Sequence, residues 1–261
     1  MRRVYLKIAT QSLVGAAVVN AALKPVLFDP ALDVLRRDVK AVHYADAILI
    51  AMHIVGLYLM YKAIAWMILG VFNNSVIFRQ FLDKEFDVEG AYFETVFIAK
   101  ELEVVGRSEI KFKDGELKLE SHVYWPHSGP DGSLILTPCA EVISVDDMCS
   151  VKDREMQYVF QDRYREASVK DKTGLTKLHF FREQHPSFWR KLVWRRGRLT
   201  EYSGRFDAYE NTLEGSIVGM RLSRAEAKLS RNESERTRML LQEVKLQIGS
   251  GKILRTTPPG E

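Results

Sequence analysis

Residues Ala47 to Phe72 form an apolar run of membrane-helix length, and no other feature constrains the fold so strongly. At a rise of 1.5 Å per residue the run covers about 39 Å, enough to cross a bilayer with tilt. It contains His53 and Lys62. Lys62 can snorkel to an interface, whereas His53, nearer the middle, is costly in lipid unless paired. An earlier segment, Tyr5 to Phe28, has a shorter clean stretch, Ile8 to Leu23, and carries Gln11 and Asn20. Ser12, Ala16 and Asn20 recur at i, i+4 and i+8, which places small and polar groups on one helix face and suits close packing in lipid. Asn20 is a candidate partner for His53. That pair reads either as a tolerated polar contact between helices or as a proton or ion path.

The two segments therefore predict a transmembrane helical hairpin over residues 1–74. Arg2 and Arg3 resemble the start of a signal peptide, but no good small-x-small cleavage pattern precedes Pro25 and a second apolar segment follows. The expectation is a retained anchor. Arg2, Arg3 and Lys7 put excess positive charge at the N-terminus, and the connector, residues 30–44, mixes both signs. The positive-inside rule then places both chain ends in the cytoplasm.

Beyond a bridge at residues 75–89 the apolar period changes to two. Val104, Ile110 and Phe112 share one face of a predicted strand, and Lys113-Asp114-Gly115 is a tight-turn signal. Glu116 to Trp125 alternates in the same way and completes a hairpin. Further strands are expected at Ser133–Ser144, Met156–Tyr164, Thr176–Arg182, Phe188–Trp194, Leu199–Tyr209 and Leu213–Leu222. About eight short strands joined by polar turns predict an antiparallel, roughly eight-stranded β-barrel or a sandwich over residues 90–222. Ser223 and Glu226 form a capping box that opens a helix over residues 223–249, and residues 250–261 are expected to be a disordered tail. Glycines inside the predicted strands, such as Gly204 and Gly215, are read as bulges or barrel corners.

Chemistry-bearing motifs are scarce. No Gly-rich phosphate loop, His-Glu-x-x-His or Gly-x-Ser-x-Gly occurs. The two cysteines, Cys139 and Cys149, have no metal-ligand spacing, so no metal or cofactor is implied and the expectation is a non-enzyme. A net charge of +4 does not argue for a DNA or RNA polymer as partner. The interleaved cluster Arg190, Lys191, Trp194, Arg195, Arg196 and Arg198 fits a phosphate site, an anionic lipid surface or a solvated edge strand.

The layout resembles the two-transmembrane β-barrel effectors of bacterial cyclic-oligonucleotide antiphage signalling, the group with a SMODS-associated two-transmembrane β domain. The resemblance rests on the paired apolar segments, on Glu89-Gly90-Ala91-Tyr92, on Val105 to Ile110 and on Leu213-Glu214-Gly215-Ser216-Ile217. It implies a bacterial inner-membrane protein whose cytoplasmic barrel binds a cyclic di- or oligonucleotide. It also implies a homo-oligomer whose helices disrupt the lipid bilayer. The chain is longer than that pattern, with an insertion around Met148–Thr176 and the added C-terminal helix.

If the apolar face of the first hairpin points inward, strand parity brings Ser108, Ser121 and Trp125 inside. Tyr202 shares a face with Phe206, and Thr95 shares one with Phe93 and Phe97. Tyr92, Thr95, Ser108, Trp125, Tyr202 and Arg205 are the predicted ligand contacts, with Arg205 able to join only at a rim or bulge. Ser12, Ala16, Asn20 and His53 are the predicted helix-packing residues. Two other readings stay open. One is a membrane-anchored scaffold that holds a protein partner with its barrel and C-terminal helix. The other is a carrier of lipid or another small apolar ligand.

Overall fold

A computed structural model describes residues 2–23, 29–30, 42–165, 171–183, 199–209 and 214–254. The chain divides into two compact units, Met1–Asp83 and Lys84–Glu261. Each is described by itself.

The first unit is helical. Helix α1 spans Arg2–Leu23, α2 spans Val42–Asn74 and α3 spans Val76–Leu82. Within α2, Ala51–Asn74 is long and apolar enough to cross a membrane, with mean hydropathy 1.8. The apolar part of α1 is Ile8–Ala22. Its 15 residues (22 − 8 + 1) would extend about 22 Å, short of the roughly 30 Å hydrocarbon core. The described residues therefore hold one segment of spanning length beside a shorter apolar helix, where the sequence predicts two spans. Helices α1 and α2 pack together, and a Cβ on Gly15 would sit 3.6 Å from Ile64. Ser12 and Ala16 are fully buried, and the Ser12 hydroxyl donates to the Ile8 carbonyl at 2.8 Å. The small-residue face predicted from i, i+4 spacing is thus occupied inside one chain. Asn20 Oδ1 has no hydrogen-bond partner among the described residues, so the predicted pairing with His53 is not made through that oxygen. Arg79 of α3 closes the end of α2. Its guanidinium donates to the Phe72 and Asn73 carbonyls at 2.7 and 2.8 Å, supplying donors to terminal carbonyls that have no intrahelical partner.

The second unit is a closed antiparallel barrel in simple chain order. The strands are β1 (Gly90–Ile98), β2 (Glu101–Lys113), β3 (Glu116–Ser128), β4 (Leu134–Lys152), β5 (Glu155–Tyr164), β6 (Lys172–Arg182), β7 (Leu199–Ala208) and β8 (Glu214–Arg221). Pairing of β8 with β1 closes the ring, with Thr95 opposite Val218. The sequence places the first strand of its eight near Val104, whereas Gly90–Ile98 is the first strand of the barrel. The predicted strand Phe188–Trp194, and with it the basic aromatic cluster, lies outside the described residues. The predicted insertion at Met148–Thr176 is part of the barrel. Cys149 to Lys152 pair with Glu155 to Tyr158, and Lys172 to Thr176 pair on β5.

Side chains alternate across each strand. Large inward side chains face glycine across the sheet, as in the pairs Tyr202–Gly219, Phe206–Gly215 and Phe160–Gly174. A Cβ at Gly219 or Gly215 would collide with the ring opposite. Of these, Gly215 is read from sequence as a bulge or barrel corner, and it sits in unbroken register. The function of these glycines is room: a missing side chain on one strand accommodates a ring from its neighbour.

The C-terminal segment is two helices rather than one. Helix α4 (Arg224–Leu229) opens with the predicted Ser223–Glu226 capping box, and α5 (Glu233–Gly249) starts afresh from the Asn232 cap. Leu240 and Val244 of α5 pack on the outer barrel face against Phe97, Leu102, Val105, Tyr124 and Leu136. Arg236 donates to the Tyr124 hydroxyl at 2.7 Å, and Arg107 donates to Ser230 Oγ at 2.7 Å. Within the predicted tail, Leu254 bridges to Leu102, and residues 255–261 lie outside the described residues.

Candidate functional site

The barrel interior has two halves. At one end aromatic and aliphatic groups fill it. Tyr92, Phe180 and Tyr202 are fully buried and mutually in contact, with ring centroids 5.1–6.0 Å apart. Ile110, Met156, Leu178 and Leu199 are buried as well. The 3-10 turn Lys84–Val88 adds to this end, where Arg221 donates to the Asp87, Glu89 and Leu199 carbonyls. At the other end the interior is a cavity. The centre of a water-sized sphere can sweep about 100 Å³ there, which is several times what one water needs.

The wall of the cavity is apolar: Val96, Val104, Val123, Val142, Phe160, Phe206 and Ile217. Its polar groups are fewer and uneven in charge. Glu94, Glu103 and Asp162 bring three carboxylates, and Lys172 brings the one ammonium among the described lining residues. Asp162 and Lys172 are cross-strand partners. Glu103, Asp162, Tyr164 and Lys172 lie near the strand ends that open this half, and Lys172 Nζ stands 5.7 Å from the Tyr164 ring centre.

Glu94 sits where the cavity meets the filled end. Its cross-strand partners are Gly106 and Gly219, and a Cβ on Gly106 would approach its Oε1 to 3.0 Å. Three hydroxyls surround the carboxylate. Ser121 Oγ donates to Oε1, Tyr202 Oη donates to Oε2 at 2.9 Å, and Ser108 Oγ lies 3.1 Å from Tyr202 Oη. Burial pushes the Glu94 pKa upward, and the bonds from Ser121, Tyr202 and Ser108 counter part of that rise. Burial likewise raises Asp162 to about 7, opposed by the charge of Lys172. The phenols of Tyr158 and Tyr202 are pushed well up by burial, then by the charge of Glu94, and stay protonated, Tyr202 as the donor to Glu94.

The six predicted ligand residues scatter over this geometry. Tyr92, Ser108 and Tyr202 do point inward, but into the filled end, where Ser108 and Tyr202 support Glu94 from below. Thr95 shares its face with Phe93 and Phe97 as expected, yet that face is the outer one, under α5. Arg205 is exposed on the outside, because no bulge in β7 near it reverses its parity. Trp125 lies where β3 runs on beyond its pairing with β2 and pairs with β4 alone, its ring stacked 4.3 Å from His127. None of the six lines the cavity. The residues that do, above all Glu94 and Asp162, were missed. One signal was present: Glu94 has the parity of Tyr92, Val96 and Ile98, so an acid stood on an otherwise apolar face.

Among the described residues no group of three or more His, Cys, Asp or Glu is placed to hold a metal ion. Burial raises both thiols, Cys139 and Cys149, to about 12, which removes them as nucleophiles at neutral pH. No family model, curated protein or solved structure matches this chain.

Proposed function

We propose that the chain is a membrane-anchored receptor whose barrel takes up a small ligand. The supporting observation is the division of the barrel interior, with one end packed solid and the other a cavity floored by a buried carboxylate in a hydroxyl network. A structural barrel needs no such floor. Burying a carboxylate among hydroxyls alone is costly, and the arrangement becomes useful when a ligand completes it. An eight-stranded barrel can hold one small ligand. Helix α2 supplies the anchor.

The antiphage resemblance sharpens this into an effector, in which ligand binding shifts an assembly equilibrium of the membrane helices. A ligand does so only by binding one assembly state better than the other. A cyclic nucleotide belongs in the test. Its amino groups suit the carboxylates, whereas its phosphates would find one ammonium, Lys172, among the described lining residues.

The receptor reading is tested with the full chain in nanodiscs. Calorimetry against cyclic di- and trinucleotides and small amines should show saturable binding that Ala140→Trp, which fills the cavity, removes. Crosslinking with and without the bound compound then scores assembly. Binding that Ala140→Trp leaves unchanged moves the site elsewhere. Binding by no class of compound to a folded protein removes the receptor reading.

A further inference from the structure

We propose that the cavity selects a small organic cation, an amine with an apolar body, whose ammonium group pairs with Glu94 at the cavity floor. The inference rests on the receptor reading and adds the ligand class.

Glu94 is the group that decides. Every hydrogen bond shown to its carboxylate comes from a neutral hydroxyl, and no salt bridge to a cation is formed among the described residues. Its two oxygens accept from Ser121, Tyr202 and Ser108, three bonds against about four acceptor sites, which leaves acceptor capacity for a ligand. The same side chain lines the cavity. Lys172, the ammonium of the lining, stands across the strand from Asp162 and is matched by that carboxylate. The counter-charge of Glu94 is therefore best supplied by the ligand.

The surroundings rank the alternatives. Val96, Phe160, Phe206 and Ile217 offer an apolar sleeve for a hydrocarbon or aromatic body. A carboxylate or phosphate ligand would approach Glu94, Glu103 and Asp162 together, with like charges in a site of low dielectric. A neutral ligand would fill the sleeve and leave the carboxylate as it is. An ammonium converts the buried acid into a charge-assisted pair, the stronger kind of hydrogen bond. The upward pull of burial on Glu94 fits a site that is under-compensated until a cation arrives.

Three near-isosteric probes separate these cases: benzylamine, benzyl alcohol and benzoate. They are titrated into the full chain in nanodiscs by calorimetry, with Ala140→Trp as the blocked control. Benzylamine should bind about tenfold or more tighter than benzyl alcohol, the scale expected of a charge-assisted bond. Glu94→Gln keeps the side-chain shape and an acceptor for Ser121 or Tyr202, and it should erase the preference for the amine over the alcohol. The wild-type ranking alone exposes the proposal if the variant does not fold. Benzyl alcohol or benzoate matching or exceeding benzylamine overturns it, as does a preference that survives in Glu94→Gln. If the three probes fail and a cyclic nucleotide binds in the cavity, the amine is wrong and the receptor stands. If neither binds, both fall.

Discussion

The two ends of the barrel are built from the same strands and differ in what their inward side chains meet. At the filled end, Tyr202 projects over Gly219 and reaches Tyr92 and Phe180. At the open end, Phe206 projects over Gly215 and forms cavity wall. The glycine–aromatic device is shared. What separates the two ends is the next shell: rings behind Tyr202, and carboxylates, a lysine and open space beside Phe206. Strand pairing thus closes the barrel, while interior side-chain size divides it into a packed base and a usable mouth.

The sharpest test of that division compares deletions at the two ends. Phe180→Ala removes a fully buried ring from the base and should cost about 3–5 kcal/mol. Val96→Ala widens a space that already exists and should cost about 1 kcal/mol or less. Urea unfolding of the full chain in detergent, followed by tryptophan fluorescence, reads both. Equal losses would mean that the open end is as tightly packed as the base.

The junction between the halves is the second point of attack. Tyr202→Phe deletes the hydroxyl that donates to Glu94 and should destabilise by about 1–3 kcal/mol, since a buried acceptor loses its partner. Ser108→Ala, whose hydroxyl contacts Tyr202 in the same network, should cost less. If both changes are neutral, the network under Glu94 is not holding the floor.

A smaller effect concerns acid. The folded pKa of Asp162 is raised from 3.8 to about 7, so between those values the folded chain holds a proton that the unfolded chain has released. The unfolded state then binds fewer protons, and stability from this group falls as pH rises from about 4 to about 7. Above that window both states are ionised and the slope ends. Asp162→Asn should flatten this part of the stability profile and improve stability at pH 8 relative to wild type. Partial solvent access at the barrel mouth keeps the change modest. A slope unchanged in the variant would assign it to other groups.

Sequence periodicity carried much of this architecture. Alternation from Val104 to Trp125 located the first hairpin and its inward face, and Ser223 with Glu226 located the cap of α4. Alternation does not say which face is inside when both are covered. Phe93, Thr95 and Phe97 look like an interior face because α5 buries their side of the sheet from without. Nor could alternation separate base from mouth, because Tyr92 and Val96 have the same parity. Depth along the barrel depends on the stagger between strands, which emerges only when β1 meets β8. The small-residue face of α1 was visible in spacing, but spacing does not say whether the partner is a second chain or α2. Glu94 does not stand out in the sequence because a single acid in a strand usually faces water.

Closure between β1 and β8 also sets a clock. Val218 lies 123 residues after Thr95 (218 − 95), its partner across the seam. A ribosome adding about 5–20 residues per second needs about 6–25 s to cover that interval. For that time β1 has β2 on one side and an open edge on the other. The edge exposes Phe93 and Phe97, whose cover, α5, is made later still. During synthesis the nascent barrel is therefore an unfinished sheet with a sticky border, and it needs a companion or isolation until its last strand emerges.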